Sequence, residues 1–139
     1  MSRYVLDSFA LLAYYRDEFG AARVRQLLAN REHNHWMSVI NLGEVYYRLN
    51  RLQRGLKPDD FSHQAMRLPI QVVDANRGLT LAAAHIKAGH AMAYADCFAA
   101  ALAMQFDAIV VTGDPEFEQL ENEGLITVEW LLTGPKKRR

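Results

Sequence analysis

Short apolar runs alternate along the chain with longer stretches in which apolar positions recur every three or four residues. Residues 4–6 (Tyr-Val-Leu) form the first run, a predicted strand, and the pattern then predicts an amphipathic helix over 7–18, stopped by Gly20. A second helix is expected over 21–30, a polar loop over 31–34 and a strand over 36–39. A long helix follows over 41–54, closed by Gly55 in the position where a left-handed residue ends a helix. Pro58 suits the first turn of a short helix whose positive end Asp59 and Asp60 would face. Further strands are predicted at 70–73, 108–111 and 127–131. Helices are expected over 77–88, from Asp96 through the apolar run CFAAALAMQF, and over 115–121, with breaks at 89–94 and 112–114. Strands that alternate with helices imply an α/β fold with a central parallel sheet of four to five strands, covered on both faces. In such sheets, sites form beyond the carboxyl ends of the strands.

With 139 residues, half of them hydrophobic, the chain is expected to form one domain with a core of its own. No apolar run approaches the roughly 20 residues that span a bilayer, and Asp7 interrupts the apolar N-terminal stretch where a secretory signal would carry none. The single cysteine, Cys97, excludes an internal disulfide and multi-cysteine zinc sites and fits a reducing cytoplasm. Net charge is zero but unevenly placed. Lys136, Lys137, Arg138 and Arg139 form a basic tail over 136–139, so residues 1–135, the expected folded domain, set twelve cations against sixteen acids and carry −4. Such a body does not hold nucleic acid through a broad basic surface. The tail would either track phosphates or stand as a solvated end.

Four carboxylates change that picture. Asp7, Glu44, Asp96 and Asp114 each stand where an apolar strand gives way to a helix or where a helix begins. Each has a structural reading of its own. Asp7, Asp96 and Asp114 suit helix caps, Asp114 with Pro115 behind it, and Glu44 lies three residues after Asn41 in an imperfect capping box. Capping and ligation do not exclude each other, because a helix start at a strand end is where a site residue must sit. Asp7 and Asp114 follow strongly apolar strands and emerge at one sheet edge if those strands are parallel neighbours. Acids gathered at one point repel unless a cation sits among them, and an oxygen-rich site suits Mg²⁺ or Mn²⁺. Asp17, Glu18, Glu116, Glu118, Glu121 and Glu123 fall instead in polar helix-surface or loop patterns and are expected in solvent.

Other chemistry finds little support. There is no G-x-x-x-x-G-K-[ST] phosphate loop and no G-x-G-x-x-G. Ser8 and Ser38 have no evident histidine partner, and His33 and His35 are expected on a surface loop. Cys97 reads as a small buried filler. Arg48, Arg51 and Arg54 recur on one helix, either to grip phosphates or as a solvated or partner-facing stripe. Tyr14, Tyr15, Tyr46, Tyr47 and Leu49 read as core or interface.

The segments VLDSFALLAYY (5–15), SVINLGEVYYRL (38–49) and AYADCFAAALAMQFDAIVVTGDPEF (93–117) resemble the PIN-domain family, and within it the VapC-like toxins of toxin–antitoxin pairs. The resemblance spans essentially the whole chain in order. It implies a three-layer α/β/α sandwich and a Mg²⁺- or Mn²⁺-dependent endoribonuclease that cleaves RNA with metal-activated water, leaving a 5′-phosphate and a 3′-hydroxyl. Asp7 matches the first motif acid, Glu44 that of the second helix motif, Asp96 that of A-D and Asp114 that of T-G-D. Asp7, Asp96 and Asp114 are then the expected direct metal ligands, with Glu44 completing the shell or orienting the attacking water. Thr112 matches the hydroxyl of the last motif and would support Asp114 or hold a water. Asn41 departs from the usual Thr or Ser, and Phe9 and Cys97 from smaller residues. The resemblance further implies a cytoplasmic homodimer and a cognate antitoxin that masks the acidic site with a basic side chain, with DNA reached only through that antitoxin. Two other readings are a PIN-fold interaction module that has lost catalysis and a phosphoacceptor receiver domain. The second needs an adjacent acidic pair and a lysine after its last strand, and Lys57 and Lys87, the only lysines before the tail, lie elsewhere.

Overall fold

A computed structural model describes residues 2–134. The basic tail over 136–139, and with it the boundary at 135, lie outside the described residues. Five strands, β1 (Arg3–Leu6), β2 (Asn34–Ser38), β3 (Gln71–Val73), β4 (Ile109–Thr112) and β5 (Thr127–Trp130), pair in the order β3-β2-β1-β4-β5, every pair parallel. Seven helices connect and cover them: α1 (Ser8–Arg16), α2 (Ala21–Ala29), α3 (Val39–Leu52), α4 (Pro58–Met66), α5 (Arg77–Gly89), α6 (Tyr94–Phe106) and α7 (Glu118–Asn122), the last entered through a single 3₁₀ turn at Pro115–Phe117. The expected three-layer sandwich is therefore the observed one.

Strand periodicity decides which side chain serves which layer. In β1, Tyr4 and Leu6 point to the α1–α2–α3 side while Val5 points to the α5–α6 side; in β4, Val111 and Val110 divide the same way. Two cores result. One gathers Leu6, Leu11, Val24, Met37, Val45 and Phe61; the other gathers Val5, Leu79, Leu102, Val110, Phe117 and Leu120. On the second face Trp36 stacks on Phe106 with ring centroids 4.5 Å apart. Among the described residues no helix is long and apolar enough to cross a membrane.

Several boundaries differ from expectation for local reasons. Asn41 does not open α3; the helix starts at Val39, capped by the Ser38 hydroxyl, which accepts from the Ile40 N–H at 3.1 Å. Asp96 does not cap α6, which starts two residues earlier behind Ala93, so Asp96 lies inside its first turn. His35 is not in a surface loop but on β2, 4% exposed and stacked on Tyr4. An aromatic neighbour on the adjacent strand outweighs the imidazole's preference for water.

The strand order places a topological switch between β1 and β4. From β1 the chain moves outward through β2 to β3, then returns to the far side for β4 and β5. Connections after β1 and β4 leave in opposite directions, so a crevice opens where those two strands end.

Candidate active site

Leu6 pairs with Val111, so Asp7 and the turn after Thr112 leave the sheet side by side. Asp7 caps α1 as expected, its Oδ1 accepting from the Ala10 N–H at 2.9 Å. Its second oxygen accepts a short hydrogen bond from the Thr112 hydroxyl. The same hydroxyl oxygen accepts from the Asp114 N–H at 3.0 Å. Thr112 thus fixes the carboxylate of β1 and the backbone of the following turn at once, a tie to Asp7 that the motif alone did not reveal. Asp114 caps the 3₁₀ turn, its Oδ1 accepting from the Glu116 N–H at 2.9 Å.

Asp7, Glu44, Asp96 and Asp114 all line one cleft of about 670 Å³ beyond the ends of β1 and β4. They are not equivalent within it. Carboxylate oxygens of Asp96, Asp114 and Glu116 lie within 4.8 Å of one another. Glu44, on α3, is engaged by Arg48 one turn later, Nη2 to Oε2 at 3.1 Å. Asp7 sits at the floor, 1% exposed.

Glu116 is the functional candidate that sequence reading missed, since it was expected in solvent. Pro115 fixes the first residue of a single helical turn, and that turn swings Glu116 back over the cleft. There its Oε1 accepts from the Ala93 N–H at 2.9 Å, tying the turn to the residue just before α6. The available signal was Glu116 standing two residues after a strand-end acid, behind a proline.

A second unforeseen feature braces the helices that carry the acids. The Asn41 amide donates to the Ser8 hydroxyl at 3.2 Å and to the Ala95 carbonyl at 3.0 Å, while Ser8 donates to the Asn41 carbonyl at 3.2 Å. One buried amide therefore links α1, α3 and α6, next to Asp7, Glu44 and Asp96 respectively. Its Oδ1 is buried without a hydrogen-bond partner.

The electrostatics follow from burial and crowding. Burial raises the Asp7 carboxyl to about 7, with Asp114 and Glu44 adding repulsion and the bonds from Thr112 and Ala10 opposing it. Asp96 is pushed up as well, first by burial, then by its hydrogen bond to Glu116 and by the charges of Asp114 and Asp7. Glu116 is held below the usual carboxylate range by the Ala93 N–H and by Asp96. The pair is thus driven apart, Asp96 toward its protonated form and Glu116 toward its charged one. Acids that keep protons at neutral pH are acids short of positive charge. The donor set is all oxygen, part buried and part open, which fits a hard divalent cation with room for water and a phosphate oxygen. Cys97, beside Asp96, is buried, and burial pushes its thiol up, consistent with a packing role.

The family model for the PIN domain matches residues 4–123. No curated protein matches the chain in sequence. Several solved structures match it in fold. The DNA-bound VapBC complex of Salmonella typhimurium aligns with TM-score 0.69 at 22% identity, over 93% of this chain and 98% of the other. The sarcin–ricin loop cleaving toxin VapC20 of Mycobacterium tuberculosis aligns at 0.67 and 18%, over 84% and 93%. VapBC2 of Rickettsia felis, bound to a DNA fragment from its promoter, aligns at 0.65 and 17%, over 93% and 98%. At these identities the likeness is one of fold.

Proposed function

The chain belongs to the PIN-domain family, and from that premise we propose that it is a Mg²⁺- or Mn²⁺-dependent endoribonuclease acting as the toxin of a toxin–antitoxin pair. One observation carries the reading: acids from β1, α3, α6 and the turn after β4 share a single cleft at the switch point, three of them with oxygens within 4.8 Å. Fold likeness to a toxin that cleaves RNA and to VapBC complexes bound to DNA supports it.

In this reading Asp96, Asp114 and Glu116 hold the cation, with Asp7 completing the site from the floor. A bound Mg²⁺ or Mn²⁺ supplies positive charge that acidifies water and offsets the charge building on the phosphoryl oxygens. The protein's part is positional. Thr112 keeps the Asp7 carboxylate turned toward the cleft, and the Ala93 N–H fixes the Glu116 carboxylate. Glu44, which lines the same cleft from α3, would orient the attacking water and receive its proton, with Arg48 holding its geometry. The products carry a 5′-phosphate and a 3′-hydroxyl. A cognate antitoxin would silence the enzyme by setting a basic side chain among these acids, and DNA would be reached through the antitoxin. A homodimer in the cytoplasm completes the proposal.

The deciding experiment incubates purified protein with RNA and Mg²⁺ or Mn²⁺, with EDTA and Asp96→Asn as controls. Cleavage lost in both controls, with Asp96→Asn still folded by circular dichroism, supports the assignment. Wild-type protein that binds Mn²⁺ in calorimetry yet leaves RNA intact sinks it in favour of a silent interaction module.

A further inference from the structure

One wall of the cleft carries chemistry that the proposed reaction does not use. The turn joining α1 to α2 is pinned by its own backbone: the Glu18 N–H donates to the Ala13 carbonyl at 3.0 Å and the Ala21 N–H to the Glu18 carbonyl at 3.0 Å. Asp17 and Gly20 take left-handed φ values of 50° and 93° to close it. This fixed turn presents Phe19, 59% exposed, to the same cleft that the acids line. Gly134 lies against the ring, where a Cβ would come within 2.7 and 2.8 Å of two ring carbons. The ring is therefore backed by main chain and left uncovered toward the cleft.

A single exposed phenylalanine is ordinary on a protein surface. This one stands on a pinned turn, in an acid-lined cleft, three residues from a cleft-lining arginine. Arg16 pairs with Glu18 at 3.5 Å, but both side chains are about half exposed, at 45% and 48%, so the pair contributes little and a phosphate displaces Glu18 readily. A guanidinium beside an uncovered aromatic face is the combination that seats a single strand, the ring stacking a base and the cation holding its backbone. An aromatic hot spot for a protein partner sits in a desolvated apolar pocket; the cleft of Phe19 has apolar lining from Phe9 and Leu12 but also carries Arg16, Glu18, Glu44 and Arg48.

We propose that Phe19 is the stacking platform for an unpaired nucleobase of the substrate and that Arg16 holds the adjoining phosphate, seating the strand across the acids. The inference rests on the nuclease reading and adds to it the residues that seat the strand, one ring for the base and one guanidinium for the phosphate beside it.

The test measures binding of a short single-stranded RNA carrying 2-aminopurine, in Ca²⁺ so that charge is supplied without turnover. Wild-type protein should quench the probe by stacking. Phe19→Ala should abolish the quench and weaken binding roughly 5- to 150-fold, the range for deleting one aromatic platform. Phe19→Trp should keep both. Phe19→Leu retains bulk against Gly134 without a π face and should lose the quench with its melting temperature unchanged, which separates stacking from misfolding. Arg16→Ala should lower the slope of log affinity against log salt by about 0.7. Mn²⁺ affinity by calorimetry should be unchanged throughout. If wild type binds RNA unquenched, or Phe19→Ala binds as tightly as wild type, the platform is overturned while the nuclease reading stands. If wild type neither binds nor cleaves RNA, both fall together.

Discussion

Replacing Asp7 by Asn should make the metal-free protein more stable at alkaline pH even as it removes an acid of the proposed site. The Asp7 carboxyl is raised from 3.8 to about 7, chiefly by burial. Its folded pKa thus exceeds its unfolded one. The stabilising contribution of the proton is complete below about pH 4 and is lost as pH rises toward 7, because the unfolded chain ionises freely and the folded chain does not. Between pH 5 and pH 8 wild type should therefore lose about 3 kcal/mol from this group, at 1.36 kcal/mol per unit up to the folded pKa. Asn titrates nowhere in that range. It does forfeit one acceptor, because the Thr112 hydroxyl and the Ala10 N–H each use a different Asp7 oxygen, a cost of about 1 kcal/mol that is independent of pH. The difference between the two proteins across the pH interval cancels that cost. Urea unfolding in EDTA at pH 5 and pH 8 reads it directly, and in thermal melts about 3 kcal/mol corresponds to roughly 6–12 °C for a chain of this size. Saturating Mn²⁺ should close most of the gap at pH 8, adding about 2.7 kcal/mol to wild type at a hundredfold excess over Kd and much less to the variant. Parallel pH profiles in EDTA would refute the buried-carboxylate argument, whatever the activity of the variant.

Thr112→Val removes a donor to Asp7 and an acceptor for the Asp114 N–H together; it should cost about 2–3 kcal/mol in urea unfolding, while Thr112→Ser restores most of it. Gly113→Ala would drive a Cβ into the Phe9 ring, so it should destabilise by about 1–3 kcal/mol, and Phe9→Leu in the same chain should recover part of the loss in a double-mutant cycle. Glu116→Gln should weaken Mn²⁺ binding by tenfold or more in calorimetry while unfolding normally, since the amide oxygen can still accept from the Ala93 N–H; equal affinity would remove Glu116 from the cation site.

Much of this architecture was legible because the two periodicities are plain. YVL and AIVV, short apolar runs bounded by polar residues, read as strands buried on both faces, and their parallel pairing puts Asp7 and Asp114 at one edge. Convergence of Asp7 and Asp114 followed from that frame, and that of Glu44 and Asp96 from the family resemblance. Side-chain business conducted across the fold was not legible. Asn41 looked like a helix start, yet its amide is spent on Ser8 and on the Ala95 carbonyl, 33 and 54 residues away. His35 looked exposed because histidine and its neighbours are polar, and its burial comes from neighbours remote in sequence, Tyr4 on the next strand among them. Glu116 looked solvated because a short polar helix gives no periodicity to read, and its direction is set by the Ala93 N–H, 23 residues earlier.

Those same cross-fold ties explain how the chain tolerates a cluster that opposes its own folding. Burying Asp7 and crowding Asp96 against Glu116 and Asp114 costs stability whenever protons or cations are scarce. That cost is concentrated where the scaffold is most heavily cross-linked: Thr112 spans β4 and β1, Asn41 spans three helices, and Glu116 clamps the turn after β4 to the start of α6. Two apolar cores flank the sheet and reach right up to the site, with Val110, Val111 and Leu6 all fully buried beneath it. The acids therefore cannot relieve their repulsion by moving apart, and the remaining relief is a positive charge brought from outside. A divalent ion meets that need in the reading proposed above, and a partner's basic side chain meets it equally well. In that reading a metal ion and an antitoxin's basic side chain compete for the same acids, so excess Mn²⁺ should weaken antitoxin binding by the same factor that bound antitoxin weakens Mn²⁺ affinity.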